Sequence, residues 1–313
     1  MERKFMKGCE AVAEAAVRAG CRFFAGYPIT PQNEVPEYFA RRLPEVGGQF
    51  VQGESEVASI NMVMGAASAG VKAMTSSSSP GVSLKAEGVS QAANGSLPLV
   101  VANFMRGGPG GGSIQPAQSD YWQATKAMGN GGYKMIVVSP GTLQEAVDLT
   151  YKAFELAERD RNPVMILADG CIGAMMEPVT LPEMKSDEQL EKEKQARKNW
   201  LVNGFKHREI GPVNIDLWGG RTSMLAMEAI AAGEKPGPRG LEESNRVSGE
   251  LYERWAKEDT MVELYKMEDA EYVITGYGTA GRVAKSAVDA LRAEGVKVGM
   301  IRPIIVFPFP YDA

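Results

Sequence analysis

Residues 98–113 have the sequence PLVVANFMRGGPGGGS, and this stretch gives the clearest indication of the fold. Its first part, residues 98–104, is almost continuously apolar, which is typical of a strand buried on both faces of a parallel sheet. Five glycines then follow Arg106. A loop that directly follows such a strand lies at the carboxyl edge of the sheet, where open α/β proteins bind their ligands. The stretch therefore predicts an α/β protein with a ligand-binding edge at this loop.

Strands and helices alternate on both sides of this stretch up to residue 182. Regular alternation predicts a parallel sheet covered by helices on both faces, here forming a first domain at 1–182. The predicted strands are 22–25, 49–52, 71–75, 98–104, 134–138 and 163–167, and the predicted helices are 7–19, 32–42, 55–69, 82–93, 118–128 and 143–159.

The alternation stops after residue 182. Residues 183–198 contain five acidic and five basic residues, which predicts a solvated helix or linker. We assign 183–266 to a charged linker and helical connection that ends in one long helix at 242–266. Residues 267–313 then predict the start of a second α/β domain. Its two predicted strands cannot form an independent sheet, so we expect this domain to be cut short or completed by another chain.

Composition and charge limit the classes of function. A chain of 313 residues with 44% apolar and 23% charged residues is expected to be globular, with about two domains. The formal net charge of -5 and the lack of a basic run argue against a nucleic-acid partner. We find no apolar run of membrane-spanning length and no secretory signal core, so a cytoplasmic protein without membrane contact is expected.

The cysteines and the single histidine predict no metal site in this chain. Cys9, Cys21 and Cys171 have no Cys-x-x-Cys spacing, whereas an iron–sulfur cluster or structural zinc needs about four ligands close together. His207 lies in a charged stretch and is predicted to be an exposed surface residue.

A glycine motif at Gly276-x-Gly278-x-x-Gly281 has the spacing of a dinucleotide-binding turn. That fingerprint also needs an acidic residue at the end of the next strand, where this chain has Arg302. We therefore interpret the motif as a tight strand-to-helix turn whose glycines allow close packing.

Three polar segments are expected at carboxyl ends of the predicted strands or at the helices that follow. Arg106 could bind a carboxylate or pair with a neighbouring acid, and both interpretations stay open. The serine-rich residues 75–81 could bind polar ligand atoms or cap a helix. Glu54 and Glu56 both suit the start of a helix, but small Ala58 and Gly65 leave room beside Glu56 for a ring to approach.

Together these segments resemble the thiamine diphosphate pyrimidine-binding domain of the 2-oxoacid:ferredoxin oxidoreductases, the group that includes pyruvate:ferredoxin oxidoreductase. The end of the chain, at 302–303 and 308–310, resembles the start of that family's transketolase C-terminal-like domain. The resemblance is closest to the alpha subunits of the 2-oxoisovalerate type. One difference is the Gly-Pro-Gly-Gly-Gly sequence at 108–112, where many relatives have Gly-Pro-Ser-Thr-Gly. The motifs that carry the resemblance are 26–31, 54–62, 75–84, 105–109 and 118–121.

The resemblance implies a role for each site residue. Glu56 corresponds to the glutamate that hydrogen-bonds N1′ of the thiamine ring, which favours the tautomer that removes the C2 proton. Thr30 corresponds to the threonine beside the reacting carbons, and Arg106 to the arginine that holds the substrate carboxylate or coenzyme A. The remaining residues implied at the cofactor are Tyr27, Pro28, Ile29, Ser78 and Ser79.

The resemblance also implies partners and further cofactors. The expected reaction is oxidative decarboxylation of a branched-chain 2-oxoacid to acyl-CoA, with electrons passed to ferredoxin. No Gly-Asp-Gly segment for Mg²⁺ and the diphosphate is present, because Asp169-Gly170 follows Ala168. A beta-type subunit is therefore expected to hold Mg²⁺, and partner chains to hold a [4Fe-4S] cluster. A gamma-type and a ferredoxin-like subunit complete the expected complex, without which this chain is inactive.

Three alternatives stay open from the sequence. The first is a 2-oxoglutarate-specific alpha subunit. The second is a thiamine diphosphate decarboxylase or transketolase-like enzyme that passes no electrons. The third is a structural or regulatory subunit with a vestigial site, against which the presence of Glu56, Thr30 and Arg106 argues.

Overall fold

The computed structural model describes residues 2–126, 128–197 and 239–313. His207 and residues 198–238 of the predicted linker lie outside the described residues. Within the described part, the helices are α1 Gly8–Arg18, α2 Glu34–Glu45, α3 Glu56–Ser68, α4 Ser79–Asn94, α5 Tyr121–Lys126, α6 Leu143–Asp160, α7 Gly170–Ala174, α8 Asp187–Arg197, α9 Arg239–Glu258 and α10 Gly278–Ala293. The strands are β1 Glu2–Lys7, β2 Phe23–Gly26, β3 Gln49–Gln52, β4 Ala73–Ser77, β5 Val100–Gly107, β6 Ser113–Pro116, β7 Ile136–Val138, β8 Val164–Asp169, β9 Met176–Leu181, β10 Val262–Tyr265, β11 Tyr272–Thr275, β12 Val298–Pro303 and β13 Ile305–Phe307.

The main sheet has the strand order β13-β7-β8-β5-β4-β2-β3. Neighbouring strands from β7 to β3 are parallel, whereas β13 is antiparallel to β7, and β6 forms a hairpin with β5. Strand β5 lies at the centre, and its residues 100–105 are buried, as its apolar sequence predicts. The predicted α/β fold with a mostly parallel sheet is therefore confirmed.

Two apolar cores cover the two faces of this sheet. Val100, Ala102 and Phe104 of β5 pack into the core that contains α1, α2 and α6. Val101 and Met105 face the other core, to which α3 and α4 contribute. Alternate residues of one strand thus enter opposite layers, which requires apolar side chains at nearly every position of β5.

The predicted long helix at 242–266 is wrong in its last part. Helix α9 ends at Glu258, and residues 262–265 form β10, which pairs antiparallel with β12. Pairing with a distant strand decides this conformation, and local periodicity does not report such pairing. Five other elements were absent from the sequence prediction, namely β1, β6, α7, β9 and β13.

The C-terminal part forms a three-stranded sheet of order β10-β12-β11, while β13 joins the main sheet. The division into 1–182, 183–266 and 267–313 stays a prediction. No helix in the described ranges combines the length and the apolar character that crossing a bilayer requires.

The glycine motif at the start of α10 is a packing feature. A Cβ atom added at Gly281 would lie 2.6 Å from Cδ of Arg302, and Gly278 adopts a φ of +54°. The Arg302 guanidinium donates two hydrogen bonds to Glu145, of 2.6 and 2.9 Å, and one of 2.7 Å to Glu263. The Arg302 guanidinium is thus hydrogen-bonded to two carboxylates and is not available to bind a nucleotide phosphate in this structure. The interpretation of the glycine motif as a close-packed turn is confirmed.

Two glycine substitutions should change stability in opposite directions. Gly281→Ala should lower the free energy of unfolding by about 1–3 kcal/mol, because the new methyl group overlaps Arg302. Gly249→Ala in α9 should raise it by about 0.5–1 kcal/mol, because no atom lies within 4 Å of the added Cβ. Urea unfolding followed by circular dichroism measures both. Equal changes in the two variants would contradict the packing role of Gly281.

Candidate active site

Three segments meet at the carboxyl edge of the main sheet. Residues 27–33 follow β2, Ser78 follows β4, and residues 108–112 follow β5. Because β2, β4 and β5 are parallel neighbours, their carboxyl ends lie side by side. The sheet therefore brings together the segments that the sequence placed far apart.

Glu56 is the first residue of α3, and its side chain is only 6% exposed. The Ser55 hydroxyl caps the helix by accepting a hydrogen bond of 3.1 Å from the Ala58 amide, so Glu56 is not needed as the cap. Its carboxylate faces α4, where a Cβ added at Gly81 would lie 2.6 Å from Oε1 of Glu56. Gly81 therefore allows this carboxylate to pack against the backbone of α4.

Several polar atoms near this edge of the sheet are buried without a partner. The hydroxyls of Ser77 and Ser78 have no hydrogen-bond partner within the described residues. The amide nitrogen of Gln32 is also buried without a partner in this part of the chain, while its oxygen accepts from Ser76. Buried polar groups without partners are uncommon and costly, which favours a polar ligand at this position.

Ser79 has a different environment from Ser78. Its hydroxyl donates a hydrogen bond of 2.5 Å to Asp120 and accepts one of 3.0 Å from the Arg106 amide. Its own amide donates to Asn103 at 3.1 Å. The predicted cofactor contact of Ser79 stays a prediction, but its hydroxyl already joins α4 to the end of β5. Sequence reasoning missed Asn103 and Asp120, because their contacts join distant segments.

Arg106 connects two of the loops. Its Nη1 donates a 2.9 Å hydrogen bond to the Thr30 carbonyl, and its Nη2 donates a 2.7 Å bond to the Gly111 carbonyl. Its Nε is buried without a partner in the described part of the chain. No carboxylate of the described residues lies within 4.0 Å of this guanidinium, so the interpretation as a surface ion pair is not supported. A positive charge without a local acid favours an anionic ligand.

The remaining predicted residues lie around these groups. Tyr27, Pro28 and Thr30 are exposed, and Ile29 is half-buried. An open cleft of about 570 Å³ separates the start of α4 from the glycine-rich loop, with Ser83, Gly110 and Gln123 in its wall.

Lys85 is a site residue that sequence reasoning missed. It lies one turn after Gly81 in α4, is fully buried, and donates a 3.3 Å hydrogen bond to the backbone carbonyl of Glu56. Burial lowers the pKa of Lys85 to about 8, and the nearby charge of Glu56 partly opposes this shift. In the sequence, only the spacing of one helical turn between Gly81 and Lys85 could have indicated that Lys85 lies near the site.

Residues 14–219 match the family model described as pyruvate flavodoxin/ferredoxin oxidoreductase, thiamine diphosphate-binding. Residues 270–313 match core domain II of pyruvate:ferredoxin oxidoreductase. The chain belongs to the 2-oxoacid:ferredoxin oxidoreductase family. The resemblance inferred from the motifs is thereby confirmed.

Two members of this family that carry different names are each similar to this chain over its whole length. Ketoisovalerate oxidoreductase subunit VorB of Methanothermobacter marburgensis is 44% identical over 312 residues, which cover all of this chain and 82% of that protein. The 2-oxoglutarate synthase subunit KorA of Archaeoglobus fulgidus is 37% identical over 315 residues and covered to 84%.

A solved structure also matches. The 2-oxoglutarate:ferredoxin oxidoreductase from Magnetococcus marinus, with 2-oxoglutarate, coenzyme A and succinyl-CoA bound, has a TM-score of 0.80 and 28% identity. The match covers 99% of this chain, which spans about half, 55%, of that chain.

The residues of this 2-oxoacid:ferredoxin oxidoreductase chain fit the pyrimidine half of thiamine diphosphate. Glu56 offers a buried carboxylate, and Ser77 and Ser78 offer hydroxyls without partners among the described residues. Gly81 allows the Glu56 carboxylate and the Ser77 hydroxyl to pack against the backbone of α4. The described residues contain no group of three His, Cys, Asp or Glu side chains that could hold a metal ion.

Proposed function

We propose that this chain is an alpha-type subunit of a 2-oxoacid:ferredoxin oxidoreductase and that Glu56 is its activating carboxylate. When bound, thiamine diphosphate supplies the carbon nucleophile that decarboxylation of a 2-oxoacid requires. The observation that carries the proposal is the buried Glu56 side chain, whose carboxylate lies beside Gly81 together with the unpartnered Ser77 hydroxyl. Thr30, Tyr27, Pro28, Ile29 and Ser78 complete the proposed site.

Glu56 would share a proton with ring nitrogen N1′ of the cofactor. Its place in the first turn of α3 favours the negative charge through the helix dipole. Its burial keeps water away from that proton, and the contact with Gly81 restricts where the carboxylate can lie. Proton exchange by a positioned carboxylate is typically worth about a hundred- to ten-thousand-fold in rate.

Glu56→Gln in the assembled complex should slow C2–H exchange of bound thiamine diphosphate by about a hundredfold or more, because an amide cannot exchange a proton with N1′. Exchange is followed by NMR after acid quench. Glu54→Gln is the matched control, since Glu54 lies two residues earlier and is exposed. Wild-type exchange in the Glu56 variant would reject the proposed role, and a slow Glu54 variant would move it to that residue.

Arg106 would hold the carboxylate of the 2-oxoacid or an anionic group of coenzyme A. The support is its charge, which no described carboxylate neutralises, together with its buried free Nε. We propose 2-oxoisovalerate as the substrate, because identity to a ketoisovalerate oxidoreductase subunit is 44%. Identity to a 2-oxoglutarate synthase subunit is lower, at 37%, and 2-oxoglutarate is the second candidate.

A panel of 2-oxoacids assayed with coenzyme A in the complex tests both points. The wild type should have its highest kcat/KM with 2-oxoisovalerate. Arg106→Ala should raise KM for every 2-oxoacid, or for coenzyme A, by about tenfold to a hundredfold, because loss of a charge-assisted hydrogen bond costs about 1.5–3 kcal/mol. Arg41→Ala, which alters an exposed arginine of α2, is the control. Preference for 2-oxoglutarate would select the second candidate, and unchanged KM values would remove Arg106 from the site.

The partner that completes the site would cover the exposed face of α3. Residues 57–71 contain no ionisable side chain, although Val57 is 48% exposed and Met62 is 37% exposed. Gly65 has no atom within 4 Å of an added Cβ, so nothing in the described structure requires glycine there. An exposed, uncharged helix with an unexplained glycine suits close packing against another chain. Because α3 begins at Glu56, that chain would also approach the cofactor.

This partner would be the beta-type subunit, carrying Mg²⁺ and the diphosphate-binding residues. A [4Fe-4S] cluster would lie in partner chains, and gamma-type and ferredoxin-like subunits would complete the complex. The support is a cofactor site with pyrimidine-binding residues but no described metal ligands.

Met62→Glu should abolish co-purification of the beta-type subunit, because the buried interface would contain an unpaired charge. Val283→Glu alters a side chain that is 63% exposed on α10, and this control should keep the complex intact. Size-exclusion chromatography of co-expressed subunits measures both. If Met62→Glu leaves the complex intact, the α3 face is not the interface with this partner.

A further inference from the structure

Lys85 is a fully buried cation directly beside the proposed cofactor site. Within the described residues, the Lys85 ammonium group donates one hydrogen bond, of 3.3 Å, to the Glu56 backbone carbonyl. No carboxylate of the described residues lies within 4.0 Å of the Lys85 ammonium group. An ammonium group in this position is costly, because burial removes most of its hydration.

Lys85 lies on α4 between two glycines that contact side chains of α3. Gly81, one turn before it, faces the Glu56 carboxylate, and Gly88, one turn after it, faces the Ile60 side chain, 2.6 Å from a would-be Cβ. An apolar side chain such as Met would fill the same space without this cost. Packing alone therefore does not explain why the residue is a lysine.

Few other charges face Lys85. Glu56 is the only ionisable residue of α3, and Glu87 of α4 is exposed. Strand β4 has no ionisable residue, and β5 has only Arg106 at its end. A cation near the positive end of α3 is also disfavoured by the helix dipole. Among the described residues, Glu56 therefore supplies the negative charge that partly offsets the burial of Lys85.

We propose that Lys85 is a positioning residue whose ammonium group holds the first turn of α3 through the Glu56 carbonyl and acts as the counter-charge of the Glu56 carboxylate. This inference rests on the proposed role of Glu56 and deepens it. The hydrogen bond limits movement of the Glu56 backbone. The counter-charge offsets the negative charge of the buried Glu56 carboxylate, which would accept a hydrogen bond from a protonated ring nitrogen of the cofactor.

The effect of Lys85 should depend on pH. Burial lowers its folded-state pKa to about 8 from a reference value of 10.5. Below about 8 the ammonium is charged in the folded and unfolded states, so the full cost of burial is present together with the counter-charge. Between about 8 and 10.5 the folded state loses its proton first, so the burial cost and the counter-charge both disappear.

One test measures the coupling of the two groups without catalysis. Lysine labelled with ¹³C at Cε in the full chain should give one signal that Lys85→Met removes and that titrates near pH 8. In Glu56→Gln this signal should titrate at a lower pH, because the stabilising negative charge is gone. A signal that keeps its midpoint in Glu56→Gln overturns the proposed pairing.

The second test uses C2–H exchange of thiamine diphosphate in the complex. At pH 7, Lys85→Met should exchange about tenfold more slowly than the wild type, a change that corresponds to about 1.4 kcal/mol in the barrier. The ratio of the two rates should approach one by about pH 9.5, where wild-type Lys85 is mostly neutral by its lowered pKa. A ratio that stays constant with pH assigns Lys85 to packing and overturns the proposal.

A third variant separates the effect of the charge from that of the hydrogen bond. It also provides a second substitution at this position if Lys85→Met does not fold. Lys85→Gln keeps a donor without the charge, and it should follow Lys85→Met in the pH dependence of the exchange rate. If it follows the wild type instead, the counter-charge role is overturned. Failure of the proposed function would be distinguishable, because Glu56→Gln would then exchange at the wild-type rate whatever the Lys85 variants do.

Discussion

The geometry of the site depends on the absence of a side chain at Gly81. A methyl group there would lie 2.6 Å from the Glu56 carboxylate and 2.2 Å from the Ser77 hydroxyl, so any other residue would displace these two side chains. This close approach places the start of α4 beside the start of α3, with the positive ends of two helix dipoles near one carboxylate. It also buries Lys85, which follows Gly81 by one turn on the same helix face. One glycine therefore determines the burial, the charge environment and the available space around Glu56.

The second constraint is the hydrogen-bond network at the end of β5. The Ser79 hydroxyl joins the Arg106 amide to Asp120, and Asn103 binds both the Ser79 amide and Asp120. The backbone of Arg106 is therefore hydrogen-bonded to Ser79, the first residue of α4. Its guanidinium holds the loops that contain Thr30 and Gly111. Because these loops contact the same side chain, an anion that bound Arg106 would also affect both loops, which links ligand binding to the shape of the cleft.

The sequence alone predicted those features of the fold whose signal lies in residues that are neighbours along the chain. The apolar run of β5 predicted a buried strand, and strand-to-helix alternation predicted the parallel sheet and the segments at its edge. It was insufficient where a contact joins distant residues. Strand β10 exists because it pairs with β12, and the interpretation of 242–266 as one helix could not include that partner. Lys85 has an ordinary position in a helical sequence, and only the packing of Gly81 on Glu56 shows that it is buried beside the site. Ser78 and Ser79 are neighbours in sequence, yet only one hydroxyl is already engaged.

The environment of Asp169 bears on why a second chain would be needed. Its carboxylate caps α7 by accepting hydrogen bonds from the amides of Cys171 and Ile172, and it also accepts a 2.8 Å bond from Thr279 of α10. Its other oxygen accepts a 3.3 Å bond from Gln118. An acid with these partners is committed to joining β8, α7 and the C-terminal part, and displacing any of them to bind a cation would leave buried donors unpaired. The Asp-Gly pair that most resembles a diphosphate-binding motif is therefore a structural element, and the carboxylates for Mg²⁺ have to come from elsewhere if the proposed chemistry is correct.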